Sequence, residues 1–303
     1  MATQIGTATN FLDLYNKLRD FLVSDATLVG LGQNWAQIGG NTGTLGNTDE
    51  IVLQGPGLAG NDEVLIGLRP YVNTTLATYN IGINGMVAYN PALAIIDQVN
   101  VSGTSVLPLW NSAIDYWFIA NGRRFMVVAR ISTYWMNCYA GLILPYVLPD
   151  AWPYPLFVGG SNQGAGTGLA QIWSTTGKEN RSFWNGCTGC AKLLLPDVTW
   201  WDVSNWSTSS GDGQQNTGIN TDPFRFDAAE LIANLDGSFP MTPATLLSNS
   251  PYQAQLGRFD GVYGTIAIGN AAGNIIQQGG VDHLVVQNIY RTARYDYAAF
   301  ALQ

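Results

Sequence analysis

The chain has 303 residues, enough to bury a large core, with 47% hydrophobic but only 11% charged residues, where an ordinary globular domain has about a quarter charged. Thirteen Lys and Arg, scattered along the chain against 21 Asp and Glu, leave a net charge of −8 and exclude the basic field of a nucleic-acid binder. No apolar run approaches the ~20 residues that span a bilayer, and polar Met1 to Thr9 lack the basic start of a secretory leader, so membrane insertion and signal-peptide export are not expected.

The 35 glycines and an aromatic share of 12%, with Ser, Thr, Asn and Gln in place of charge, suit a turn-rich β protein better than a helical one. One helix is predicted, capped by Asn10, with Phe11, Leu14, Leu18, Phe21 and Leu22 on a single stripe. Thr27 to Leu31 add a turn that Gly32 stops. This gives an N-terminal helical element over 1–34, and its apolar stripe is a candidate docking face.

From Trp35 onward, short apolar runs separated by Gly, Pro, Asn and Asp predict strands. They cover Glu50 to Gln54, Glu63 to Arg69, Tyr79 to Asn84, Tyr116 to Ala120, Arg124 to Ser132 and Met136 to Leu144. Asn121-Gly122 between two of these runs marks a hairpin. Pro145, Pro149, Pro153 and Pro155 then interrupt both ladder and helix, which places a domain border near Leu144 to Phe157. Beyond it the tracts 159–168 and 207–221 read as polar loops, Asp227 to Ala233 as a short helix, and Lys192 to Leu195, Thr199 to Val203, Val262 to Ile268, Asn274 to Gln277, Leu284 to Tyr290 and Tyr297 to Leu302 as strands. The expected fold is mainly β with an N-terminal helix and two β-sandwich or Greek-key-like modules, 35–150 and 151–303.

Residues that could carry chemistry are few. The single histidine, His283, has no matching nucleophile motif and reads as a turn-to-strand residue. Cys187 and Cys190 form a Cys-x-x-Cys that could close as a local disulfide, hold half a zinc site, or stay as two thiols; three cysteines in all fit assembly in a reducing cytoplasm. Asp49 with Glu50, and Asp62 with Glu63, look like turn residues beside strands. Asp212, Asn216, Asn220 and Asp222 lack the spacing of a calcium loop, and Gly55 to Gly60 lacks the Lys of a phosphate loop. No catalytic residue, cofactor or metal is assigned. Trp110, Trp117, Trp135, Trp152, Trp173, Trp184, Trp200, Trp201 and Trp206 form an aromatic middle section, of which Trp200, Trp201 and Trp206 are candidate interface residues.

Several strings carry a resemblance: Asn10 to Trp35, Gly55 to Gly60, Tyr116 to Val128, Tyr139 to Tyr146, Tyr154 to Gly160 and Gly269 to Tyr297. Together they resemble a family of virion structural proteins of tailed phages. The resemblance implies a tail, baseplate or neck component, assembled in the bacterial cytoplasm and incorporated in the virion, whose partners are copies of itself and other virion proteins. Two rival readings stay open: a host-receptor or carbohydrate-binding module that meets a surface glycan through the aromatics and polar loops, and a virion-borne polysaccharide or cell-wall hydrolase.

Overall fold

The structure is a computed structural model that describes residues 1–40, 49–58, 60, 62–161, 181–185, 189–203, 218–220, 238–248, 254–265, 269–292 and 296–302, with 218–220 described by backbone alone. It is mainly β, with one substantial helix at the N-terminal side. The strands form three antiparallel sheets.

The middle sheet has the order β1-β7-β8-β9-β11-β12-β13, made of Ala2–Ala8, Ile114–Ala120, Arg124–Ile131, Tyr134–Leu142, Leu156–Gly159, Ala191–Leu194 and Trp200–Asp202. A second sheet has the order β2-β3-β4-β5-β6, from Ala36–Gly40, Ile51–Gly55, Val64–Asn73, Thr78–Met86 and Ser105–Leu109. The third has the order β14-β15-β16-β19-β18-β17, from Gly218–Asn220, Thr242–Ser248, Ala254–Thr265, Tyr297–Ala301, Val281–Gln287 and Ile275–Gln278, with the short β10 (Leu144–Pro145) also on β16.

Alternation along the middle strands explains the layering. Phe125, Val127, Ala129 and Ile131 of β8 face one core, with Ile66, Leu68, Ile81 and Leu107 of the second sheet. Met126 and Val128 face the other, with Leu246, Phe259, Leu284 and Phe300 of the third sheet. A sheet covered on both faces needs apolar residues at successive positions, which is why β8 and β9 read as unbroken hydrophobic runs.

The helix α1 (Phe11–Ser24) begins where Asn10 accepts hydrogen bonds from the backbone N–H groups of Leu12 and Asp13 at 3.0 and 2.9 Å. Its stripe of Phe11, Leu14, Leu18, Phe21 and Leu22 is fully spent in the core between the middle and second sheets. A second short helix, α2 (Ala26–Gly30), is capped by Asp25 and leads to Trp35, whose indole donates to the Asn121 carbonyl at 2.9 Å.

Two expectations about organisation are corrected. The proline stretch does not separate two cores: β9 and β11 lie on either side of it in sequence and pair directly, Leu142 opposite Leu156. Residues 143–155 instead make an excursion in which β10 joins β16 and a 3-10 turn forms at Pro149–Ala151; the missing proline donors fall in that excursion and not in the ladder. The two cores therefore lie on the two faces of one sheet, and the segments 35–150 and 151–303 both contribute to it. Nor is 1–34 a separate helical element, since it opens with β1, seven residues paired with β7.

Burial gives an alkaline limit to stability. The free thiol of Cys138 sits in the first core, where burial pushes it up to about 12 from 9.0. Burial likewise raises Tyr15, Tyr139 and Tyr154 above the ordinary phenol value. The unfolded chain then releases protons that the fold retains, so the contribution of these groups is level below pH 9.0 and is lost as pH rises toward 12. Urea midpoints measured against pH should show this decline, and Cys138→Ala should remove the part that begins before the phenols titrate.

Candidate functional site

Two surfaces stand out as places where other molecules could be met. The first is at one end of the sandwich. Here the β3–β4 connection rests on the β7–β8 hairpin, the Gly57 N–H donating to the Gly122 carbonyl at 2.7 Å. Gly57 has φ of +71°, and the Asp62 carboxylate occupies the space a side chain there would need. The hairpin tip is held by Asn121, whose Oδ1 accepts from the N–H groups of Arg123 and Arg124 at 2.9 and 3.1 Å. Neither Asn121 nor Gly122 is left-handed, so this side-chain acceptor, not a positive-φ pair, forms the turn predicted from Asn-Gly.

A groove of about 450 Å³ crosses this end, floored by Trp152, Pro153, Tyr154, Leu195 and Pro196 and rimmed by Asp62 and Glu63. A second hollow of about 250 Å³, lined by Asn34, Ala36, Gln54 and Pro56, shares those two carboxylates. Tyr154 is fixed by its hydroxyl, which donates to the Glu63 carbonyl at 2.7 Å and accepts from the Leu65 N–H at 3.0 Å. Exposed Val87 and Val198 stand at the groove, and Tyr146, Val147 and Leu148 follow from the nearby proline excursion, with Leu148 78% exposed.

Val198 has φ of +64°, a conformation that costs a β-branched residue roughly 1–2 kcal/mol. Its turn is closed by Asp197, which accepts from the Thr199 N–H and hydroxyl. Val198→Gly should accordingly raise the thermal midpoint by a few degrees in calorimetry while exposing less apolar surface at the groove.

The second surface is the outer edge of β1. Ala2–Ala8 pairs with β7 without a register shift and, among the described residues, has no strand on its other side. It holds neither charge nor proline, the usual guards of an exposed edge. Gly6 leaves room for the Tyr116 ring, whose hydroxyl lies 2.7 Å from where a Cβ would be, and Gln4 donates to that hydroxyl at 3.2 Å. On the opposite face Thr3, Ile5 and Thr7 follow one another, with Ile5 59% exposed. The other uncharged edges are shorter or guarded. The edge strand β2 has a register shift between Gln37 and Gly39 and the Tyr89 ring against Gly39; β17 has four residues; β6 is covered by Ser161, whose N–H donates to the Val106 carbonyl at 2.9 Å.

The residues singled out from sequence fall elsewhere. Phe11, Leu14, Leu18 and Phe21 are no more than 6% exposed, so the helix stripe is core and not a docking face. Its periodicity was satisfied by an intramolecular partner. Trp200 and Trp201, on the edge strand β13, point to opposite faces of the middle sheet and pack against the first and second cores. Both rings are half-buried, and the Trp200 indole donates to the Asn100 carbonyl at 2.9 Å. Trp206 and Cys187 lie outside the described residues, as do Asp212, Asn216, Asp222 and the helix expected at 227–233. Cys190 is buried and disulfide-bonded. His283 is buried on β18, its Nδ1 2.9 Å from the Val281 carbonyl and its ring edge-on to Tyr263; burial holds it below the ordinary imidazole value. Glu50 accepts from Arg69 at 2.5 Å and from the Ile95 N–H at 3.3 Å, a structural tie.

Among the described residues, no three His, Cys, Asp or Glu side chains gather as a metal ligand set, and no helix is long and apolar enough to cross a membrane. Comparison with models of known protein families and with curated proteins gives no match.

Proposed function

We propose that the chain is a structural subunit of a tailed-phage particle, in the tail, baseplate or neck, and that it acts by assembling with its own copies and with other virion proteins. The observation that carries this reading is the uncharged, unbulged outer edge of β1, which offers a row of backbone donors and acceptors to another strand. Support comes also from the end groove, where exposed Val87 and Val198 stand beside Trp152, Pro153 and Tyr154, and from the exposed Tyr146, Val147 and Leu148 of the proline excursion. The strings that resemble phage virion proteins converge there: Trp35 bonds to Asn121, Gly57 to Gly122, and the Leu142 N–H to the Arg123 carbonyl at 2.9 Å.

Sedimentation velocity on the purified full chain tests the reading. The weight-average mass should rise with protein concentration and fall back when Ile5 is replaced by lysine, which places a charge on the edge. A mass that stays monomeric across the whole range counts against assembly through the chain's own surfaces.

A further inference from the structure

We infer that β1 is the seam of a two-fold homodimer, in which two copies of the strand pair antiparallel about Ile5 and join two middle sheets into one. The inference rests on the assembly reading and names its partner: a second copy of this chain. The strand itself argues for that partner. Ala2-Thr3-Gln4-Ile5-Gly6-Thr7-Ala8 reads nearly the same in both directions about Ile5. An antiparallel copy centred there sets Ala2 against the second copy's Ala8, Thr3 against Thr7, Gln4 against Gly6, and Ile5 against itself. Every residue of β1 is paired, and two-fold symmetry requires this kind of self-complementary patch.

The pairs are compatible. The Thr3 and Thr7 hydroxyls already donate to the Leu302 carbonyl and to Asp115, so these residues meet across the seam through their methyl groups, and Gly6 opposite Gln4 leaves room on the face where Tyr116 lies against Gly6. On the other face Ile5, 59% exposed in the single chain, is flanked by Trp117 across the β1–β7 ladder. Dimerisation extends this into a continuous row, Trp117 and Ile5 of one copy followed by Ile5 and Trp117 of the next. About six to eight backbone hydrogen bonds form along a seam of this length.

Electrostatics do not oppose it. The one charged residue opposite β1 on β7 is Asp115, which sits across from Thr7 and accepts from its hydroxyl at 2.9 Å. The two-fold places the second Asp115 near the other end of the seam, about 20 Å away from strand spacing and rise, beyond the ~8–10 Å screening length. A seam one strand deep is smaller than the ~1,200 Å² of a stable complex, so the pair is reversible in dilute solution and covalent capture is the right readout.

Ile5→Cys puts two thiols on directly opposed residues, with Cα atoms about 4.5–5.5 Å apart, inside the range a disulfide bridges. Thr7→Cys is on the same face and also exposed, but the two-fold separates its copies by about 14 Å. Under mild oxidation by oxidised glutathione, the Ile5→Cys chain should convert to a disulfide-linked dimer at least about tenfold faster than Thr7→Cys or the unaltered chain, by analogy with effective concentration in a held pair. Equal rates for the two variants would overturn the seam. If capture fails while sedimentation still shows association, the β1 pairing alone is wrong; if the chain also stays monomeric, the assembly reading falls with it. Ile5 is exposed, and unchanged thermal midpoints would confirm that the variants fold.

Discussion

Replacing Phe157 by alanine is expected to cost about 3–5 kcal/mol, the range for removing a buried phenylalanine, and to lower the urea midpoint without changing the oligomeric state. The ring lies on β11 at 0% exposure, facing the third sheet. Its centroid is 4.7 Å from that of Phe259, 5.8 Å from Tyr139 and 6.0 Å from Phe183, with edge-to-face or tilted geometry throughout. Phe259 and Phe183 are themselves 5.5 Å apart, so the cavity left behind has several rigid walls and little that can relax into it. Leu18→Ala, at 2% exposure in the other core, should likewise lose stability, by about 2–5 kcal/mol, because α1 packs inside the chain and not against a neighbour.

Asp260→Ala should be nearly as severe, about 3–5 kcal/mol, because it strands a buried charge. Arg124 is 0% exposed at the start of β8, and its Nε donates to Asp260 Oδ2 at 3.2 Å on β16 of the facing sheet. Asn121 donates to the same oxygen at 2.9 Å, so one carboxylate holds both the hairpin tip and the strand across the core. Burial works against this carboxylate, but Arg124 and Asn121 overcome that and hold it below the usual range. Its contribution is present above the ordinary value of 3.8 and is lost as pH falls through the lowered one. The double change Arg124→Met with Asp260→Leu should recover most of the loss, since an apolar pair leaves no charge unpaired. Chemical denaturation of the two variants beside the unaltered chain checks both expectations.

The sequence made most strands legible, and the reasons for the omissions are physical. Runs such as Arg124 to Ser132 were found because double-sided burial makes them continuous and Asn121-Gly122 bounds them. Six strands, β1, β2, β6, β11, β14 and β15, have no counterpart in the sequence reading, and three of them show why. The edge strand β6 contains Pro108, which a central strand would not tolerate but an outer one does. Residues 156–159 followed Pro155 and were lost among the prolines that suggested a border. The strand β1 has only Ile5 as a large apolar residue, and the period-two run of Thr3, Ile5 and Thr7 is a weaker signal than the capped helix that follows it.

The candidate surfaces were less legible than the fold. An amphipathic stripe says that α1 has a partner but not whose chain supplies it, so Phe11, Leu14, Leu18 and Phe21 pointed to docking when a β-sheet of the same chain already covered them. Trp200 and Trp201 are half-buried on the edge strand β13, because adjacent residues of a strand between two cores pack one against each. The end groove unites Asp62, Trp152 and Val198 from distant stretches, a meeting that only the three-sheet arrangement produces.

Quantitative mass spectrometry of purified virus particles, prepared from cells that produce the chain, decides whether the proposed incorporation in repeated copies occurs. The full chain is expected in several copies per particle, in a fixed ratio to the other structural proteins and retained through density-gradient purification. Its absence from such particles, or a trace amount that varies between preparations, would rule out a structural role in the virion.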